Sequence, residues 1–214
     1  MLNRTKYFRK LCLSSCFFVG MISLSSSANA QFIGINADYA IDYSAAPGKV
    51  SGYSVGIAHP APFIPNIGYS YVSFIDKETI TDPDNRTSSV SLATTTTIKT
   101  INLFYNIPFP VVTLAVGFGY GQDNLNTGAE TKTTILENQK AEDTSDFKTS
   151  VSEAFFHIGL PFWNTVEFHL GYHLMSFTNI DITRNKKVSF DGNYTIDQKS
   201  YSGGMTTIGV QVAF

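Results

Sequence analysis

Histidine and glutamate, residue types that move protons and hold metal ions, gather in one stretch of this chain. Glu153 and His157 share parity on one alternating segment, and Glu167, His169 and His173 share it on the next. If Leu160 faces Val166 across the intervening Pro161 turn, His157 lies opposite His169 and Glu153 opposite His173, near enough to touch. Paired imidazoles beside carboxylates can ligate zinc. His169 and His173 cannot share one ion, because four strand residues span roughly 13 Å. A metal site therefore needs His157, His169 and a third group from another strand, such as Asn102 or Asp38. The competing arrangement is a plug of hydrogen-bonded polar side chains, and it is the expectation here. No metal, cofactor or catalytic residue is assigned. Nucleophilic catalysis needs a base and a nucleophile within hydrogen-bond reach. His173 near Ser176 is the one candidate pair, so the chain is not expected to be an enzyme.

The elements that would carry these residues are strands. Ile33, Ile35, Ala37, Tyr39, Ile41 and Tyr43 alternate with Gly34, Asn36, Asp38, Ala40 and Asp42, a period of two that a helix does not give. The pattern recurs at Tyr53–Ala58, Val112–Gly121 and Val166–Leu174. Its polar face is rich in Gly, Ala, Ser and Thr, which suits the narrow interior of a small barrel. Eight such strands are expected, near 32–43, 51–59, 66–75, 94–107, 111–121, 151–160, 165–175 and 201–214. Three connections are short and Pro-rich, at Pro60–Asn66, Pro108–Pro110 and Pro161–Asn164, and the other four are longer and polar. Phe63, Phe109, Phe162 and Trp163 crowd the short turns, while Tyr43, Tyr53, Tyr71 and Tyr120 lie nearer the opposite strand ends. Short turns on one side, long loops on the other and two aromatic girdles are the requirements of an outer-membrane barrel. The expected fold is thus all-β: a closed antiparallel up-and-down transmembrane β-barrel of about eight strands, with three short periplasmic turns and four outer loops.

The first thirty residues read differently. Arg4, Lys6, Arg9 and Lys10 precede an apolar stretch that ends in Ala28-Asn29-Ala30. That order is a secretory signal peptide, with Ala28 and Ala30 at the cleavage positions. The expected organisation is a cleaved leader over 1–30 and one barrel domain over 31–214. Cys12 and Cys16 fall in the leader, leaving a mature chain without disulfide or thiol chemistry.

Composition agrees with a wall that meets lipid. Aromatics make up 14% of the chain and charged residues only 15%, against about a quarter in ordinary soluble proteins. Removing the four basic leader residues from the chain's 15 leaves 11 against 17 acidic groups, a balance that argues against nucleic acid as a partner.

The chain ends Thr207-Ile208-Gly209-Val210-Gln211-Val212-Ala213-Phe214. This resembles the C-terminal targeting strand of bacterial outer-membrane proteins, with Thr207, Gly209, Val212 and Phe214 in its four positions. The resemblance implies recognition by the barrel-assembly machinery. In layout the chain is similar to the eight-stranded barrels of the OmpA and OmpX type. His59-Pro60-Ala61-Pro62-Phe63-Ile64-Pro65-Asn66 resembles a turn of a family of small outer-membrane barrels without assigned activity. Neither resemblance carries catalytic residues across.

Together these readings lead to an integral protein of the Gram-negative outer membrane, exported through its cleaved leader, with a structural, adhesive or surface-interaction role. The alternatives are a small porin-like channel for ions or hydrophobic compounds and, less favoured, a lipid-modifying enzyme. The expected partners are outer-membrane lipids, lipopolysaccharide, the assembly machinery during biogenesis, and an extracellular ligand the sequence does not identify. Arg184, Lys186, Lys187 and Lys199 are candidate contacts for anionic lipopolysaccharide.

Overall fold

A computed structural model gives the conformation of the chain and describes residues 33–46, 50–59, 61, 63–81, 89–109, 111–135, 147–163, 165–177, 185–190, 193–198 and 200–214. The leader, with Ala28 and Ala30, lies outside the described residues, as do Pro60, Pro62, Arg184 and Lys199. Twelve strands are described: β1 (Gly34–Tyr43), β2 (Val50–Ala58), β3 (Asn66–Thr81), β4 (Ser89–Pro108), β5 (Thr113–Gly121), β6 (Gly128–Ile135), β7 (Phe147–Thr149), β8 (Val151–Trp163), β9 (Val166–Phe177), β10 (Asn185–Phe190), β11 (Asn193–Gln198) and β12 (Gly203–Ala213). Eight of them close a ring in the order β1-β2-β3-β4-β5-β8-β9-β12, sealed where β12 returns antiparallel to β1 from Gly34↔Ala213 to Tyr43↔Met205. Closure leaves the ring without an edge, the condition for burying strands in lipid. No helix among the described residues is long and apolar enough to cross a membrane.

Period-two alternation sets the facing. Ile35, Tyr39, Tyr53, Val55, Ile57, Ile101, Leu103, Val116, Phe118, Ile158, Leu170 and Leu174 all point out of the ring and are exposed. An apolar belt this continuous far exceeds what a water-soluble monomer leaves uncovered. Phe63, Phe109 and Phe162 are exposed at one end of the ring, and Tyr53 stacks on Tyr71 toward the other, centroids 5.4 Å apart.

The strands run further than the sequence pattern suggests. The regions read as loops after Asp76 and Gln122 contain ladder: β3 pairs with β4 out to Thr81↔Ser89, and the outer half of β4, Leu92–Lys99, pairs with β6, which in turn pairs with β7. A further hairpin, β10–β11, occupies the segment read as the last loop. These parts are Thr-rich and polar, so they lack the apolar alternation that marks a lipid-facing strand.

Two features shift residues away from their expected places. A bulge between Ala40 and Asp42 turns Tyr43 inward, where it is buried, and leaves Asp42 outside. Tyr43 is therefore not part of the outer aromatic girdle. The ladder of β8 on β9 lies two residues from the expected register, so Leu160 faces Phe168 and not Val166, and a one-residue irregularity follows between Pro161 and Trp163. Two residues preserve facing, but every cross-strand partner changes.

The lumen is layered. At the long-loop end an apolar cluster closes it, formed by Tyr43, Val72, Phe74, Ile98, Val151, Met175, Phe177, Tyr201 and Met205 with several alanines. Within the plug, the Tyr43 hydroxyl donates to the Tyr201 carbonyl, and the Tyr201 hydroxyl lies 3.1 Å from Asp76 Oδ2. Beneath it lie the histidines and acids. At the short-turn end Asn106 Nδ2 reaches Gln211 Oε1 at 3.3 Å across the ring. The lumen is therefore not polar throughout, as alternation alone implied.

Candidate functional site

Strands β8 and β9 carry Glu153, His157, Glu167, His169 and His173 inward, and the shifted register decides who meets whom. His157 stands opposite Gly171, His169 opposite Gly159, His173 opposite Phe155 and Glu153 opposite Met175. Neither His157 and His169 nor Glu153 and His173 stand directly opposite, as the Leu160–Val166 register would have them, although Glu153 and His173 still touch. Contacts run diagonally. His157 Nε2 lies 3.0 Å from His173 Nε2, and His173 Nδ1 lies 2.5 Å from Glu153 Oε1. The Glu153 carboxylate also accepts from Thr100 Oγ1 at 2.5 Å. Glu153 and His173 are both fully buried.

A second branch runs toward the short-turn end. His169 Nε2 lies 2.8 Å from Glu167 Oε1, and Thr113 Oγ1 donates to Glu167 Oε2 at 2.7 Å. The Glu167 side chain keeps 14% of its surface exposed, while that of His169 is 5% exposed.

Between the branches stands Asp38, brought from β1 by barrel closure. The row Asp38–Gly209–His169 crosses three adjacent strands. Gly209 leaves the slot that Asp38 occupies: a Cβ there would run into the Asp38 carboxylate. One row further, Gly171 does the same for His157, whose ring would meet a Cβ at that position. Asp38 Oδ1 lies 3.7 Å from His169 Nδ1, and Oδ2 lies 3.9 Å from His157 Nδ1. Both distances exceed a hydrogen bond, and neither Asp38 oxygen has a hydrogen-bond partner among the described residues. Asp38, His157 and His169 each offer a ligand atom, all within 4.8 Å of one another.

Parity separates His173, which points inward, from Ser176, which is exposed outside, so that pair is no nucleophile and base. A different hydroxyl joins the network. Thr207 Oγ1 lies 3.2 Å from His173 Nε2, giving the order hydroxyl, imidazole, carboxylate through to Glu153. That order matches a nucleophilic triad, but Thr207 is 2% exposed and lies beneath the aromatic plug. Thr207, His173 and Glu153 thus form a buried hydrogen-bonded row.

The terminal strand serves the same interior. Of the residues read as an assembly signal, Thr207 is buried in the network, Gly209 faces the lumen, Val212 is half-buried and Phe214 is exposed at the short-turn end. Phe214 N donates to Ile33 O at 2.9 Å, fastening the last residue to the start of β1. In the first short connection, His59 N donates to Asn66 Oδ1 at 2.9 Å and Ala61 N to His59 Nδ1 at 3.2 Å, so the His and Asn of that motif tie the turn.

No protein-family profile matches the chain, and no curated protein matches it. Solved structures do. A major outer membrane protein from Thermus thermophilus is 10% identical, with 85% of this chain and 98% of that one covered at a TM-score of 0.54. The outer membrane protein OprG from Pseudomonas aeruginosa is 9% identical, with 85% and 95% covered and a TM-score of 0.51. At such identities the likeness establishes the fold, a small barrel of the outer-membrane type.

Proposed function

We propose that this is an integral outer-membrane protein that acts through its loop-end surface in a structural, adhesive or surface-interaction role. It is neither an enzyme nor a diffusion pore. The observation that carries the reading is the pairing of an apolar outer belt with a lumen closed by its own side chains. Eight strands enclose a space just wide enough for side chains or one small ligand, and here Tyr43, Phe74, Phe177 and Tyr201 occupy its loop end. What remains for a partner is the extended ladder of β3, β4, β6 and β7 and the β10–β11 hairpin, which carries Lys186 and Lys187. In this reading the short turns face the periplasm, the long loops face the exterior, the leader over 1–30 is removed on export, and Phe214 belongs to the signal read by the assembly machinery. Lipopolysaccharide is the anionic partner that basic groups near a membrane surface attract.

The test uses the cysteine-free mature chain. Single cysteines replace Asp123, in the exposed turn between β5 and β6, and Phe63, in a short connection. On intact cells a membrane-impermeant maleimide should label Asp123→Cys alone, and Phe63→Cys only after the outer membrane is permeabilised. The reverse labelling would overturn the orientation, and equal labelling of both would overturn the membrane location.

A further inference from the structure

The geometry points to a divalent transition-metal site inside the lumen, held by the Asp38 carboxylate, His157 Nδ1 and His169 Nδ1, with zinc as the fitting ion. The site is independent of the loop-surface role and would stand if that role failed.

Proton accounting leads to it. The Glu153 carboxylate accepts from His173 Nδ1 at 2.5 Å, so the remaining nitrogen of neutral His173, Nε2, carries a lone pair. His157 Nε2 lies 3.0 Å from that nitrogen and the Thr207 hydroxyl 3.2 Å; the hydroxyl can turn its hydrogen elsewhere, and a His157 that donates from Nε2 keeps a lone pair on Nδ1. In the other branch His169 Nε2 lies 2.8 Å from Glu167 Oε1, and a neutral His169 that donates there offers the lone pair of its Nδ1. Both free nitrogens face Asp38, at 3.9 and 3.7 Å. Three electron-rich groups therefore converge at a buried point. Neither Asp38 oxygen nor His169 Nδ1 has a hydrogen-bond partner among the described residues. A buried carboxylate in such company is costly unless a cation joins it.

The spacing suits an ion. Zinc bonds of 2.0–2.2 Å place tetrahedral ligands about 3.4 Å apart; the two Asp38–imidazole gaps close with movements of a few tenths of an ångström, and all three ligand atoms lie within 4.8 Å of one another. Two imidazoles and one carboxylate select zinc or a neighbouring transition metal over calcium or magnesium, which prefer oxygen alone. Each ligating imidazole is backed on its far nitrogen, His169 by Glu167 and His157 by the His173–Glu153 pair, the carboxylate–histidine–metal arrangement that fixes tautomer and ring orientation. Gly209 keeps the slot for Asp38 open. The partly exposed Glu167 marks the approach from the short-turn end, and three protein ligands leave a position for water on that side.

The experiment uses the folded chain in detergent micelles, loaded with Zn²⁺, dialysed, and assayed by elemental analysis, with Zn²⁺ affinity from chelator competition. The wild-type protein should hold close to one equivalent, and Co²⁺ in its place should give the visible absorption of a four-coordinate site. Asp38→Asn should abolish stoichiometric binding. It is expected to fold, because Asp38 gives up no hydrogen bond. Glu167→Gln, a positioning change, should weaken affinity about 10–100-fold, and His59→Ala, at the remaining histidine, should leave it unchanged. Zn²⁺ should raise the melting temperature of the wild type and not that of Asp38→Asn. Substoichiometric zinc in the wild type, an unmoved melting temperature, or equal affinity in Asp38→Asn would each overturn the site.

Discussion

Truncating Glu153 to alanine should be among the most damaging single changes in this barrel. Glu153 is fully buried and accepts from Thr100 Oγ1 and His173 Nδ1, each at 2.5 Å. Hydrogen bonds to a charged group contribute about 1.5–3 kcal/mol each, so losing both costs about 3–6 kcal/mol, before any void left by the side chain. Glu153→Gln keeps the shape and both contacts but removes the charge, which roughly halves the strength of each bond, for a cost of about 1.5–3 kcal/mol. Thr100→Val removes one donor only and should cost about 1.5–3 kcal/mol. Guanidinium unfolding in micelles, followed by fluorescence of the single tryptophan and by heat-dependent gel mobility, ranks the three. If Glu153→Ala falls within about 0.5 kcal/mol of the wild type, the range of an inert surface change, Glu153 does not sit in a dry, braced lumen.

Other changes test other layers. Val116 points outward between Tyr105 and Phe156, so Val116→Arg should cost about 2–4 kcal/mol in a bilayer, measured by unfolding in lipid vesicles. Gly209→Ala should cost about 1–3 kcal/mol by overpacking, since its methyl group displaces Asp38, and should leave a folded barrel with a lower melting temperature. Deleting Phe214 removes the bond to Ile33 along with the terminal aromatic, and fractionation should find the chain accumulating unassembled in the periplasm.

Facing was legible in the sequence because parity survives any even shift in register. Gly34, Asn36 and Asp38 point inward as the alternation from Ile33 requires, and so do the histidines of β8 and β9. Register was not legible. The ladder of β8 on β9 lies two residues from the register that pairs Leu160 with Val166, which leaves every face intact and every partner changed. Tyr43 was misplaced for a related reason: a one-residue bulge reverses parity, and no residue type at Ala40–Asp42 announces it. Asp38 could be named as a third group, but its meeting with His157 and His169 depends on β12 closing against β1. That long-range pairing leaves no local signature. In the sequence the end of β3 after Asp76, the start of β4 before Thr94 and all of β6 read as loop, because Lys77–Thr81 and Gly128–Ile135 are largely polar and lack apolar alternation. The apolar plug was hidden by the same rule that found the wall, since its inward residues at Val72, Phe74 and Ile98 interrupt the polar face only locally.

Single-channel recording on the purified mature chain in planar bilayers tests the central claim most directly. Insertion is established in the same preparation by heat-dependent gel mobility and by resistance of the barrel to protease. A lumen closed by Tyr43, Phe74, Phe177 and Tyr201 above a braced layer of His157, His173 and Glu153 predicts inserted protein and no unitary current steps. Regular ohmic steps from correctly folded wild-type protein would contradict it.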